Sequence, residues 1–421
     1  VETMTIAAPL TLPCGAVLPN RLAKAAMSEQ LGDRANRPTE RLDRLYERWG
    51  AGGCGLVITG NVIVDRRHVG EPRNVVIEDE RDLPALRRWA AAGKRGGAAL
   101  WAQVNHPGRQ ALRIAGSQPV APSAIAAKIP GAVTPHALTG AEIEQVVARF
   151  ARTAAIVKAA GFDGVQLHGA HGYLISQFLS PRANRRDDDW GGDAERRRRF
   201  VLEVVRATRA AVGPEFPVAI KLNSADFQRG GFSEEESAAV VVALAEAGID
   251  LVEISGGTYE APVMMGAEGD GARTGAHARE RASTRASTRA REAYFLDYAE
   301  RIRAQVPGLP LMVTGGFRST AAMDAALAGG ACDVIGVGRP LALHPDAAAE
   351  LLDGRRTRVD AGDKRIGVRL LDSVVDLFWH TRQMHRIGRG REPWAGEHAL
   401  HTLTAFVLMN GWGSLRRKRG G

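Results

Sequence analysis

Gly164-Val165-Gln166-Leu167-His168-Gly169-Ala170-His171-Gly172-Tyr173-Leu174-Ile175 is the stretch on which the fold turns. Its apolar run follows the turn Gly161-Phe162-Asp163 and stops at two histidines and a tyrosine. That pattern reads as a buried strand carrying polar groups at its C-terminal end, and those groups are the candidate active site.

Seven further short apolar runs repeat the form, at residues 20–27, 55–60, 98–103, 217–222, 251–255, 310–316 and 333–339. Helical periodicity occupies the intervals, at 40–51, 83–94, 141–160, 196–212, 234–248, 292–305 and 319–328. Thr139 with Glu142 three residues on marks one helix start, and Ser233 before Glu234-Glu235-Glu236 marks another. Eight strand-then-helix units fit a (β/α)8 TIM barrel better than a doubly wound sheet. The strand-ending residues Ser28, Gly60, Gln103, His168, Lys221, Ser255, Gly315 and Gly338 then share one rim, where such barrels do their chemistry. The expected organisation is a barrel over 1–354, carrying an extended basic loop at 258–291, followed by a C-terminal helical extension and basic tail over 355–421.

Bulk properties narrow the function. Cys14, Cys54 and Cys332 stand apart, giving neither a disulfide framework nor a C-x-x-C metal or iron–sulfur spacing. No segment is long and uncharged enough to span a bilayer, and no basic-then-apolar leader opens the chain, so a soluble cytoplasmic protein is expected. Six arginines between 273 and 291 against Glu280, together with Arg416, Arg417, Lys418 and Arg419, account for the whole formal net charge of +9. A basic loop and a basic tail are commonly solvated, so no specific nucleic-acid partner is expected.

The rim residues suggest an anionic, polar ligand. Gly315-Gly316 and Gly338-Arg339 expose backbone N–H groups at consecutive strand ends, and Arg339 adds a planar donor fork suited to phosphate. The same glycines also suit two tight turns with no ligand at all. Lys221 and Gln103 end apolar strands and need buried partners; a phosphorylated cofactor with an electron-accepting ring supplies one, a neighbouring carboxylate such as Glu253 another. His168 and His171 read either as neutral donors gripping one carbonyl or phenolate oxygen, or as a metal pair lacking nearby carboxylates other than Asp187 to Asp189. The donor reading is preferred, because flanking glycines leave room above the rings. Tyr173 carries its proton at neutral pH and serves either as a proton donor or as a core aromatic.

Taken together, His168-Gly169-Ala170-His171-Gly172-Tyr173-Leu174, Gln177-Phe178-Leu179-Ser180-Pro181, Asn184-Arg185-Arg186 and Trp190-Gly191-Gly192 resemble the signature of the Old Yellow Enzyme family of FMN-dependent oxidoreductases. Asn20-Arg21, Gln103, His106-x-Gly108-Arg109, Ala121-Pro122-Ser123, Lys221, Gly315-Gly316 and Gly338-Arg339 follow in the family's order, so the resemblance covers about residues 5–350. It implies a barrel holding FMN noncovalently, reduced by NADH or NADPH and reoxidised by an activated alkene such as an enone. By the same resemblance, His168 and His171 hold the substrate carbonyl, hydride leaves flavin N5 for the β-carbon, and Tyr173 protonates the α-carbon. Ala26, Ser28, Gly60, Gln103 and Lys221 are implied to contact the ring or ribityl chain, and Gly315, Gly316, Gly338 and Arg339 the phosphate. Gln30 stands where one branch has a substrate-contacting tyrosine, and Ser28 where threonine or cysteine is usual.

The rival readings are a metal-dependent barrel hydrolase or lyase using the histidine pair as ligands, and a non-catalytic flavin- or RNA-binding protein. The basic loop reads as a lid attracting anionic groups or as a disordered insertion. The C-terminal part, with Trp379, His380, His385 and Trp394, is expected to pack on the barrel or on a second subunit.

Overall fold

Eight parallel strands close on themselves in the computed structural model: β1 (Leu22–Lys24), β2 (Leu56–Ile63), β3 (Ala99–Asn105), β4 (Gly164–Gly169), β5 (Val218–Asn223), β6 (Leu251–Ser255), β7 (Leu311–Thr314) and β8 (Val334–Val337). Pairing of β1 with both β8 and β2 closes the ring, so the fold is the expected TIM barrel. The structure describes residues 5–111, 118–128, 131–256, 282–362, 364, 366 and 369–405. The segment expected to form a lid falls mainly at 257–281, outside the described residues.

Register determines what each strand offers the interior. Side chains alternate in direction along a strand, so one inward residue identifies the rest. Leu56, Trp101, Ala219, Leu251, Met312 and Val334 form an apolar cluster inside the barrel, joined from below by Leu10 and Leu18. Those leucines belong to a small antiparallel pair, Leu10–Thr11 with Val17–Leu18, which covers the N-terminal end. Gly164 makes room for the Trp101 indole, since a Cβ there would lie 2.6 Å from the ring. Two residues further along each strand the interior turns polar, with Gln103, Gln166, Lys221 and Glu253.

Two strands run beyond their expected ends. β2 continues through Ile63 because its pairing with β3 shifts register between Ile58 and Asn61. At that irregularity Thr59 Oγ1 accepts the N–H of Gln103 at 2.9 Å, replacing a ladder bond. β3 likewise reaches Asn105.

The helices wrap the outside. α1 (Glu40–Gly50), α2 (Leu83–Gly93), α3 (Gly140–Ala159), α4 (Leu174–Leu179), α5 (Ala194–Val212), α6 (Glu234–Glu246), α7 (Ala282–Gln305) and α8 (Thr320–Ala328) precede two short turns, α9 (Pro340–Leu343) and α10 (Ala347–Leu352), and a long final helix, α11 (Arg369–Gly388). Thr139 and Ser233 form capping boxes with Glu142 and Glu236, as their spacing implied. α7 starts ten residues before the expected position, within the basic stretch rather than after it. The Ala-Ser-Thr-Arg repeat has no glycine or proline to stop a helix, and its four-residue period suits one. α11 packs beside α1, with Arg44 Nε donating to the Gly388 carbonyl at 3.0 Å.

Candidate active site

The polar layer inside the barrel is one hydrogen-bonded chain. Gln103 Nε2 donates to Gln166 Oε1 at 2.7 Å, Gln166 Nε2 donates to Glu253 Oε2 at 2.7 Å, and Lys221 Nζ meets Glu253 Oε1 at 2.8 Å. All four side chains are buried. A buried ammonium and carboxylate are tolerable only when paired and further hydrogen-bonded, which this arrangement achieves. The carboxylate partner considered for Lys221 is thus present, and Gln166 joins two residues that the sequence treated separately. Its signal was available: Gln166 lies two positions before His168 and must share its inward face.

His168, the inward residue of β4 above Gln166, is Cα partner to Lys221. The Ala170 N–H donates to its Nδ1 at 3.3 Å, so the neutral ring carries its proton on Nε2. The His171 ring lies 5.0 Å from His168 and the Tyr173 ring 4.7 Å from it, both edge-on. Burial, then the charges of His171 and Lys221, holds His168 well below the ordinary histidine range; burial and Lys221 do the same to His171. Both therefore stand neutral at physiological pH.

His171 has a left-handed backbone (φ +61°), unusual for a residue other than glycine. Asn223 Oδ1 accepts its N–H at 3.2 Å, and Gln110 Nε2 donates to its carbonyl at 2.9 Å, fixing the turn from both sides. Its Nε2 lies 2.8 Å from Ser255 Oγ, at the end of β6. Tyr173, buried, accepts from Asn61 Nδ2 at 3.3 Å. Neither Asn223, Ser255 nor Asn61 was expected in a supporting role.

The remaining candidates occupy the rim differently. Ala26 is half-buried beside the apolar interior cluster. Ser28 hydrogen-bonds the Glu71 carboxylate, whose pKa burial raises, and Gln30 has a left-handed backbone (φ 54°). The Gly60 N–H is taken by Glu29 Oε1 at 2.8 Å and the Tyr46 hydroxyl at 3.0 Å, so that amide faces away from the mouth. Gly315 and Gly316 have φ of +116° and +90°. A Cβ at Gly315 would meet nothing within 4 Å, and one at Gly338 only Met27 atoms at 3.9 Å. Arg339 bonds Asp376 of α11 through Nη1 at 2.7 Å, a partner the sequence did not reveal.

These features fit a flat polar cofactor. Asn61 Oδ1, both amide atoms of Asn105 and Thr314 Oγ1 are buried without protein partners among the described residues, and register directs all three residues inward. The open space at Gly315 and Gly338 leaves a cradle at adjacent strand ends. FMN presents a heteroaromatic edge for the first set and a phosphate for the second.

The metal reading of the histidine pair gains nothing here. Asp188 pairs with Arg186, and Asp189 with Arg199. Among the described residues, the group with metal-ligand spacing is Asp65, His68 and His106. There, Arg67 and Arg149 already engage Asp65, at 2.7 Å and 3.2 Å, leaving local positive charge that opposes a cation.

Comparison with known proteins agrees with this fold. Residues 6–358 match the NADH:flavin oxidoreductase / NADH oxidase family. The chain is 39% identical over 420 residues to the NADH-dependent flavin oxidoreductase iccE of Talaromyces variabilis, covering 91% of this chain and 98% of that protein. It is 35% identical over 415 residues to the NADH-dependent flavin oxidoreductase iliE of Neonectria sp., covering 89% of this chain and only 53% of that longer protein. A 2-naphthoyl-CoA reductase structure shares the fold, with a TM-score of 0.77 at 23% identity over 91% of this chain and 57% of the other. No described helix is long and apolar enough to cross a membrane. The chain is an enzyme of the NADH:flavin oxidoreductase / NADH oxidase family, the Old Yellow Enzyme group that the residues around His168 resemble.

Proposed function

We propose that this enzyme binds FMN, takes electrons from NADH or NADPH and reduces an activated alkene of the enone or enoate type. When bound, FMN supplies the hydride chemistry. The barrel, through about residue 354, houses the reaction, and α11 buttresses its mouth through Asp376 and His385. Gln103 and Lys221 hold the polar edge of the ring, with Ala26, Ser28 and Gly60 beside it. Gly315, Gly316, Gly338 and Arg339 hold the phosphate.

His168 presents Nε2–H to the substrate carbonyl oxygen and stabilises negative charge developing there. His171 joins it when Ser255 donates its hydroxyl to Nε2, which places the imidazole proton on Nδ1. Tyr173 gives its proton to the carbon beside the carbonyl. Gln30 borders the acceptor. The observation that carries the reading is the packing of the neutral His168 ring between His171 and Tyr173, above the buried Lys221–Glu253 pair.

The test is anaerobic reduction of the purified protein by each nicotinamide, then reoxidation by enones, enoates and dienoyl thioesters. Colourless protein that takes up no added FMN would overturn the proposal. Replacing His168→Ala together with His171→Ala is expected to abolish phenol binding while FMN stays bound. Unchanged phenol titrations would remove the pair from the acceptor site.

A further inference from the structure

A second concentration of positive charge lies on the C-terminal side of the molecule. Arg382, His385, Arg386, Arg389 and Arg391 line a cavity of about 150 Å³. The first four are spaced along one face of α11 and its continuation. A tight turn brings in the last: the Arg389 and Arg391 N–H groups both bond the Arg386 carbonyl, and Gly390 takes φ +70° to allow it.

The charge is incompletely neutralised from within. Arg382 bonds Glu397, and Arg386 Nε donates to the Glu392 carbonyl at 2.9 Å while its guanidinium lies 5.8 Å from the Trp394 ring. Among the described residues no carboxylate reaches Arg389, Arg391 or the nearby Arg41. Partial desolvation of its guanidinium, with the Arg41, Arg382 and Arg391 charges, lowers the pKa of the otherwise exposed Arg389. Like charges at helical spacing destabilise a helix, so the cluster has no evident internal advantage. The α11 C-terminus carries about half a negative charge, too little to balance the guanidinium groups of Arg386, Arg389 and Arg391.

The volume selects the ligand. Pockets for whole drug-sized molecules span roughly 300–1,000 Å³. A single tetrahedral oxyanion suits the smaller space, and planar guanidinium forks match its geometry. His385 ties this wall to the barrel, because its Nε2 meets the Glu29 carbonyl at 2.7 Å, between Ser28 and Gln30.

We propose that the cavity bounded by Arg382, His385, Arg386, Arg389 and Arg391 binds a phosphate group. Inorganic phosphate and the terminal phosphate of a phosphorylated cofactor or thioester share this chemistry. The site is distinct from the Gly338–Arg339 cradle and does not depend on flavin binding.

The test titrates the full chain, saturated with FMN so that the Gly338–Arg339 cradle is filled, with inorganic phosphate by calorimetry, at constant ionic strength set with chloride. The variant is Arg389→Gln with Arg391→Gln, two exposed positions whose replacement is expected to leave the circular dichroism spectrum unchanged. The wild type is expected to bind one phosphate saturably, and the variant about tenfold or more weakly. Competition by NADPH but not NADH identifies a 2′-phosphate as the source, competition by coenzyme A its phosphate, and competition by neither the free anion. Each of these supports the site. Heat signals reproduced by chloride alone, or identical phosphate binding in the variant, would overturn it.

Discussion

At the scale of single residues, Lys221 and Glu253 are the most exacting pair. Their side chains are 6% and 0% exposed, so removing one charge strands the other. Glu253→Gln is expected to destabilise the protein by about 3 kcal/mol in urea denaturation, with most of the loss recovered by adding Lys221→Met. A single variant as stable as wild type would mean that water reaches the ammonium. Gly338 poses the opposite question, because its environment tolerates a methyl group and its backbone demands no glycine. Gly338→Ala is expected to leave the denaturation midpoint nearly unchanged while markedly weakening FMN retention through steric filling of the cradle. Full retention after gel filtration would count against phosphate binding there.

At the scale of elements, the capped starts of α3 and α6 were legible, whereas several boundaries, the start of α7 among them, were not. Thr139 announces α3 because side-chain and backbone donors must be satisfied locally, which needs only four residues of sequence. Thr139→Ala is expected to lower stability by about 1 kcal/mol, read as a fall in Tm, and no change would show that His136 and Glu142 hold the end unaided. The ends of β2 and β3 depend on a register shift created by neighbouring strands, so Gly55-Leu56-Val57-Ile58-Thr59-Gly60 alone could not disclose them. His168, His171 and Tyr173 were readable because one turn gathers them. Ser255 was placed on the same rim from the sequence, but its contact with His171, like the reach of Asp376 and Asn223 into the site, arises only in the closed barrel. Gln166 was readable by its alternation with His168, yet its partners depended on β3 and β6 lying within reach.

At the scale of the whole molecule, buried neutral histidines give stability a direction with pH. Burial pushes His106 down to about 3 and His385 down to about 4, whereas both titrate near 6.5 once unfolded. The unfolded chain therefore takes up more protons as pH falls below about 6.5, and the folded state loses stability by roughly 1.4 kcal/mol per pH unit for each such histidine. For His385 the loss runs down to about pH 4, and for His106 to about pH 3. Urea midpoints between pH 7 and 5 are expected to fall steeply, and less steeply in His106→Gln. A flat wild-type profile would show that compensating groups cancel the effect.

The indole of Trp101, wedged where Gly164 lacks a side chain, has a consequence for traffic. Among the described residues the barrel's far end is filled, which leaves the mouth above His168 for entry. If donor and acceptor of the proposed reaction both use that mouth, one leaves before the other enters, and initial-rate plots at several fixed acceptor concentrations are expected to run parallel; intersecting lines would show that both bind at once.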